Sequence, residues 1–105
     1  MAKYVMVVQS KAKPGRDDEY NEWYDSTHAP EILSLPGMKS CRRFDYAMGM
    51  AGEPGLPYLA LYEVEIDDIQ PILAEMGRRA ESGEISQSDA LDGPASVLWF
   101  YKQRD

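Results

Sequence analysis

The only histidine of the chain lies in a dense group of aromatic and acidic side chains at residues 21–37 (NEWYDSTHAPEILSLPG). An imidazole titrates close to neutral pH, so a histidine beside tyrosine and carboxylate groups is a natural general acid or base. His28 is therefore the candidate catalytic residue, and Tyr24 is the candidate hydrogen-bond donor to a substrate oxygen. The alternative is that His28 only caps a helix end or lies at the surface.

The residues that precede His28 predict a helix with an aromatic stripe. Tyr20, Trp23, Tyr24, Thr27 and His28 recur at spacings of three and four, which places them on one helical face. A core stripe is normally built from Leu, Ile, Val or Ala, whereas large side chains with polar tips need a hydrogen-bond partner at one end. This pattern suits the wall of a pocket, so Tyr20 and Trp23 are candidate substrate-binding residues.

Four further residues are candidates for substrate binding. Arg42 and Arg43 are adjacent in a predicted strand, so their side chains point to opposite faces and only one can reach a cavity on the sheet. One of them can bind an acidic group of a substrate; the alternative is that both are surface charges. Tyr62 and Trp99, in later strands, complete the set. One cysteine and one histidine fall short of a zinc site, so neither a metal nor another cofactor is expected.

The composition indicates one folded domain over residues 1–105 and argues against several partners. Eleven basic and eighteen acidic residues give a formal charge of -7, which disfavours nucleic acid and anionic membrane surfaces. The apolar runs are far shorter than the roughly 20 residues of a membrane-spanning helix. The first residues run directly into a strand-like pattern without a secretory signal, so we expect a cytoplasmic protein.

Alternating apolar, β-branched and aromatic residues predict four strands, at 3–12, 38–48, 58–65 and 95–103. The first helix is expected to begin at Asp17 or Asp18, to run to about Thr27 and to break or kink near His28, because Pro30 disfavours helical geometry before it. A short helical turn is expected to follow at 30–35.

A second helix is predicted over 67–83. Asp67 or Asp68 is its expected cap, Pro71 lies in its first turn and Gly83 stops it. One face of this helix carries apolar residues at helical spacing, namely Ile69, Ile72, Leu73, Met76 and Ala80.

The order β-α-β-β-α-β predicts an α+β, ferredoxin-like fold: a four-stranded antiparallel sheet with both helices on one face. The first, third and fourth strands are apolar on both faces, but two helices cover only one. We expect a second copy to cover the other, as a homodimer through the sheet faces. The alternative is that these side chains are exposed or line a pocket.

Residues 19–44 (EYNEWYDSTHAPEILSLPGMKSCRRF) resemble a segment of the EthD-like group of dimeric α/β-barrel proteins. In that group a helix ending in Trp-Tyr-x-x-x-His-x-Pro leads through Pro-Gly into a strand ending in an Arg-Phe-like pair. The resemblance places His28 at the motif histidine and Trp23 and Tyr24 at the aromatic positions. It implies a ferredoxin-like fold that pairs sheets into a dimer, in a superfamily of cyclases, isomerases, cofactor-free monooxygenases and haem-degrading enzymes. The lack of a second histidine disagrees with a haem role and with a two-histidine cyclase mechanism.

The sequence supports two hypotheses about function. The first is a small cofactor-independent enzyme that acts on an aromatic or polyketide-like carbonyl compound, by lyase, isomerase, cyclase or monooxygenase chemistry, with His28 as general acid or base. The second is a non-catalytic or accessory dimeric protein that binds a small hydrophobic or aromatic ligand in the same pocket.

Overall fold

Four strands form one antiparallel sheet in the computed structural model, which describes residues 2–104. Their order across the sheet is β2-β3-β1-β4, with bounds β1 (Lys3–Ser10), β2 (Met38–Asp45), β3 (Tyr58–Glu65) and β4 (Val97–Lys102). With helices between β1 and β2 and between β3 and β4, this is the ferredoxin-like arrangement, and the predicted α+β fold is confirmed. Strand β3 has the predicted bounds, whereas the other three are shorter than predicted.

The first helical region is continuous, so the helix does not break near His28, but its geometry changes there to a wider turn. It comprises α1 (Asp17–Trp23), a wider π-helical turn (Tyr24–His28) and α2 (Ala29–Leu33). Pro30 is in the first turn of α2. Because proline has no N–H and its ring crowds the preceding turn, one wider turn lets the chain pass it without leaving the helix.

The helix ends differ in part from the prediction. Arg16, and not Asp17 or Asp18, occupies the N-cap of α1 without a capping side chain, and the acidic residues fill the first turn instead, where the helix dipole favours them. Helix α3 (Gln70–Ser82) begins after Ile69, and the Asp68 carboxylate accepts a hydrogen bond of 3.0 Å from the Gln70 N–H. Gly83 ends the helix as predicted, with a φ of 82° that an L side chain would strain.

The core lies between the helices and one face of the sheet. The side chains of Met6, Tyr62 and Val64 point from this face and are fully buried, as are Tyr20 and Ile72 on the helices. On the predicted apolar face of α3 only part is buried: Ile72 lies in the core and Met76 packs against it, but Leu73 is 42% exposed and Ala80 is also exposed. The helix therefore covers the sheet loosely, and a cavity remains beneath it.

The opposite face of the sheet carries a second apolar surface, which we call the open face. Val7 lies between Leu61 on β3 and Trp99 on β4, and Arg42 lies beyond Leu61 on β2. Trp99 is 52% exposed and Tyr101 is 60% exposed. The alternation of each strand thus gives one covered and one uncovered apolar face.

Among residues 2–104, none of the helices has the length and apolarity that crossing a membrane requires.

Candidate functional site

A cavity lies between the first helical region and the β1–β4 half of the sheet. It consists of two neighbouring hollows of about 220 and 210 Å³. Four residues border both hollows: Val8 and Leu98 from the strands, Tyr24 and His28 from the π-helical turn. We call these four residues the shared wall. An engineered cavity of about 150 Å³ holds benzene, so each hollow has room for an aromatic ring.

Apolar side chains dominate the lining, and a few polar groups reach it. The first hollow is bordered by Ile32, Met76 and Ile85, and the second by Trp23 and Leu91. None of the lining residues is Asp, Glu, Lys or Arg. The polar side chains at the cavity are those of Ser10, Tyr20, Trp23, Tyr24, His28, Tyr62, Gln87 and Ser96. An apolar pocket with a few convergent polar groups is typical of a small-molecule site.

The His28 ring is fixed by two aromatic neighbours. It stacks on Trp23 with ring centroids 4.5 Å apart and planes at 22°, and it meets Tyr24 edge-on at 5.0 Å. Its Nδ1 atom is buried and has no hydrogen-bond partner within residues 2–104. The nearest carboxylate oxygen, Glu31 Oε1, lies 3.9 Å from this nitrogen. The two aromatic contacts hold the ring in place, and Nδ1 makes no hydrogen bond within residues 2–104.

Glu31 is held by the loop that follows α3. The Ser86 N–H and Oγ donate to Glu31 Oε1 at 3.0 and 2.9 Å, and the Trp23 indole N–H donates to Ser86 Oγ at 3.1 Å. Trp23 and Glu31, the neighbours of His28, therefore meet at one serine. Of the acidic residues near His28 in sequence, Glu31 is the one that approaches its ring, while Asp25 pairs with Arg43.

The environment of His28 favours its neutral form. Burial lowers the pKa of the imidazole below its ordinary value, and the nearby Glu31 carboxylate opposes this only in part. A neutral imidazole at pH 7 can accept a proton, as a general base does.

Two tyrosine hydroxyls meet at the wall of the first hollow. Tyr24 and Tyr62 form a buried hydrogen bond of 2.8 Å, and burial raises the pKa of both hydroxyls, so both are protonated at neutral pH. One hydroxyl donates to the other. The second hydrogen is left for Cys41, whose thiol also contacts Tyr62, or for a ligand oxygen in the cavity.

Tyr20 borders the second hollow. Its hydroxyl donates to Ser10 Oγ at 2.6 Å, and its ring meets Tyr24 edge-on with centroids 5.8 Å apart. Four residues of the predicted stripe border the cavity, namely Tyr20, Trp23, Tyr24 and His28. Of these, the two tyrosines have their hydroxyls hydrogen-bonded to strand residues.

The arginines lie outside the cavity. The Arg43 guanidinium packs on the Tyr24 ring, 4.3 Å from its centroid, on the β2 side, and donates to Asp25 and Asn21 at 2.8 and 3.0 Å. Arg42 points to the open face and lies over Phe44. The two arginines point to opposite faces as predicted, but neither borders the two hollows.

The structure thus divides the predicted site residues into two groups. Five come together around the cavity, namely Tyr20, Trp23, Tyr24, His28 and Tyr62. Three do not border it: Arg42 and Trp99 lie on the open face, and Arg43 packs behind Tyr24. Substrate binding by these three stays a prediction.

Several residues of the site were not predicted from the sequence. Ser86 and Gln87 lie in the loop after α3, where neither periodicity nor a motif marks them, and only tertiary packing brings them to His28. Val8 and Leu98 read as ordinary strand residues. The acidic side chain three positions after His28, Glu31, was the one available signal, since residues at this spacing share a helical face.

Among residues 2–104 there is no group of three or more His, Cys, Asp or Glu side chains that could hold a metal ion.

No protein-family model matches the chain, and no curated protein matches it either. A solved structure of an ethyl tert-butyl ether D (EthD) family protein from Bacillus halodurans C-125 is similar, with a TM-score of 0.60 and 15% sequence identity. The match covers 99% of this chain and 100% of that chain. At this identity the similarity identifies the fold, and it agrees with the resemblance seen in residues 19–44. The chain therefore has an EthD-like fold, a ferredoxin-like sheet with its helices on one face.

Proposed function

We propose that this protein is a small cofactor-independent enzyme that acts on an aromatic or polyketide-like carbonyl compound, with His28 as its general acid and base. The observation that carries the proposal is a neutral imidazole on the shared wall of an apolar cavity, with a buried Nδ1 atom that lacks a hydrogen-bond partner among the described residues. A general base must be unprotonated at the working pH and must border the substrate site, and His28 meets both conditions.

The proposed chemistry is proton transfer next to a carbonyl group. The substrate ring lies in a hollow and its carbonyl oxygen approaches the Tyr24–Tyr62 pair, which donates the hydrogen that the pair does not use internally. His28 takes a proton from the adjacent carbon and returns it at another position. Lyase, isomerase, cyclase and monooxygenase reactions on such compounds can begin with the removal of this proton.

Glu31 acts as a positioning residue in this proposal. With Nδ1 facing Glu31 at 3.9 Å, the imidazole carries its hydrogen there and uses Nε2 as the proton acceptor. When Nε2 is protonated, the positive ring lies beside a carboxylate that two hydrogen bonds from Ser86 hold in place. The charge formed during the reaction is therefore stabilised without movement of the carboxylate.

We also propose that two copies pair through their open faces in the cytoplasm. Trp99, Tyr101 and Phe44 are 52, 60 and 41% exposed on this face, next to the apolar row of Val7 and Leu61. A continuous apolar patch of this kind is typical of an interface, and pairing by twofold symmetry would cover it in both copies.

The test of the enzyme proposal is a ligand screen linked to product detection. Thermal shifts with aromatic acids, quinones and polyketide-like phenols select compounds that bind, and mass spectrometry then detects conversion. His28→Gln is the test variant, and Glu22→Gln, at an exposed position of α1, is the matched control. We expect conversion by the wild type and the control and almost none by His28→Gln. Equal conversion by His28→Gln would contradict the role of His28.

The alternative function is a non-catalytic binding or accessory protein. One observation favours it: the hydroxyls of Tyr24 and Tyr62, and of Tyr20 and Ser10, already bond to each other, as in a finished binding pocket. Such a protein is stabilised by its ligand and leaves it unchanged. Product formation from the ligand that binds most tightly would exclude this alternative.

A further inference from the structure

The shape of the cavity restricts the ligand. The two hollows are adjacent, since the four residues of the shared wall border both, and they have nearly equal volumes of about 220 and 210 Å³. Beyond these four residues, the first hollow is bordered by apolar side chains such as Ile32 and Ile85, and in the second the Tyr20 and Ser10 hydroxyls bond to each other beside Leu91. A ligand that fills both hollows therefore has two apolar ends and passes His28 and Tyr24 at its middle.

The charges around the cavity restrict the ligand further. The lining contains no Lys or Arg, and the Arg43 guanidinium lies against the Tyr24 ring, where it pairs with Asp25. The Glu31 carboxylate lies 3.9 Å from His28 Nδ1, and the chain has a net charge of -7. A carboxylate or phosphate that entered the cavity would lose its hydration without gaining a cation and would meet a negative field.

We infer that the cavity binds an uncharged, elongated ligand whose two apolar ends flank a central carbonyl or hydroxyl group facing His28 and Tyr24. This inference rests on the proposed function in that it concerns the same site, and it names the class of ligand. An uncharged ligand has no acidic group for an arginine to orient. This agrees with the structure, in which Arg42 and Arg43 lie outside the cavity.

Three related compounds test the inference by calorimetric titration of the wild-type protein. Benzophenone has two rings that flank a carbonyl, acetophenone keeps the carbonyl and one ring, and 4-benzoylbenzoate adds a carboxylate to one end of benzophenone. We expect benzophenone to bind at least about tenfold more tightly than either of the others, because it alone fills both hollows without burying a charge. Undetectable binding of benzophenone, or equal or tighter binding of either comparison compound, would overturn the inference.

Two phenylalanine substitutions on α3 test the use of both hollows. Ala80 borders the first hollow, whereas Ala74 is exposed on the same helix and borders neither. We expect Ala80→Phe to weaken benzophenone binding about tenfold and to leave acetophenone binding in the second hollow nearly unchanged. Ala74→Phe should change neither. Equal benzophenone affinity in a folded Ala80→Phe protein, checked by circular dichroism, would show that the first hollow is not used.

These titrations need no turnover, so the inference and the enzyme proposal can fail separately. Tight benzophenone binding with no compound converted would support the ligand class and contradict catalysis. His28-dependent conversion of a compound, together with preferred binding of 4-benzoylbenzoate, would support catalysis and contradict the ligand class.

Discussion

The two faces of the sheet use the same alternating strands for different purposes. On the covered face, aromatic residues have polar tips in pairs, such as Tyr24 with Tyr62 and Tyr20 with Ser10. On the open face, Trp99 and Tyr101 are more than half exposed, and no hydrogen bond of their side chains is seen among residues 2–104. Buried polar groups must find partners, whereas apolar groups need only another surface. The comparison indicates an internal site on one face and an interface on the other.

Loss of the imidazole from the covered face should have the largest effect. His28→Gln keeps a polar side chain of similar size but removes the proton acceptor, so we expect turnover to fall about 10²- to 10⁴-fold. Progress curves with a compound identified by the screen measure this loss. Glu22→Gln should keep wild-type turnover, and a small effect at His28 would mean that the covered face only binds.

A charge on the open face should have the next largest effect. In a twofold dimer Trp99→Glu places a carboxylate in the interface of each copy, at the opposite edge of the sheet from Arg42, so we expect the dimer dissociation constant to rise at least about 100-fold. Sedimentation equilibrium measures it. Ala74→Glu makes the same change of charge on the exposed side of α3 and should leave the dimer intact. A wild-type monomer, or a Trp99→Glu dimer, would contradict the assignment of this face.

Removal of one hydroxyl from each face should lower the free energy of unfolding by different amounts. Tyr62→Phe leaves Tyr24 without its buried partner, so we expect the free energy of unfolding to fall by about 1–2 kcal/mol. Tyr101→Phe, at a position 60% exposed, should change it little. Urea denaturation of both variants measures the difference, and equal losses would mean that the Tyr24–Tyr62 bond contributes no special stability.

The smallest effect we expect is a pH dependence that only the covered face produces. Because burial lowers the pKa of His28, the unfolded chain binds this proton more readily than the native state. The stabilisation by a neutral His28 is complete above the unfolded pKa of about 6.5 and is lost as the pH falls towards the native pKa.

Urea denaturation between about pH 7.5 and 5.5, a range around the unfolded histidine pKa, detects this contribution. The free energy of unfolding should decrease on acidification in the wild type and less so in His28→Gln. Parallel curves for the two proteins would show that His28 has the same pKa in both states.

The sequence predicted the helices and strands better than it predicted where helices begin and how they continue past a proline. Strand β3 was found at its true bounds because a stretch rich in glycine and proline precedes YLALYEVE and the Asp67–Asp68 pair follows it. Pro30 suggested a helix break or kink, and the structure has a wider turn at Tyr24–His28 within a continuous helical region. Arg16 lies at the N-cap of α1 and its side chain pairs with Glu19 and Asp89, the second of which is distant in sequence.

Only the site residues that lie on the same helix could be grouped from the sequence. Spacing along one helix was enough to group Tyr20, Trp23, Tyr24 and His28. It could not show that Ser86 would hold Glu31, since that contact spans 55 positions of the chain. It also could not show that neither arginine borders the cavity, because this depends on which half of the sheet the cavity borders.

The most direct test of the central claim is an NMR titration of His28, which is the only histidine and therefore gives an unambiguous ring signal in protein without a histidine tag. We predict a pKa below the ordinary value of about 6.5, with the hydrogen of the neutral ring on Nδ1. A pKa at or above that value would contradict the account, because the buried neutral imidazole that accepts the proton would then not exist.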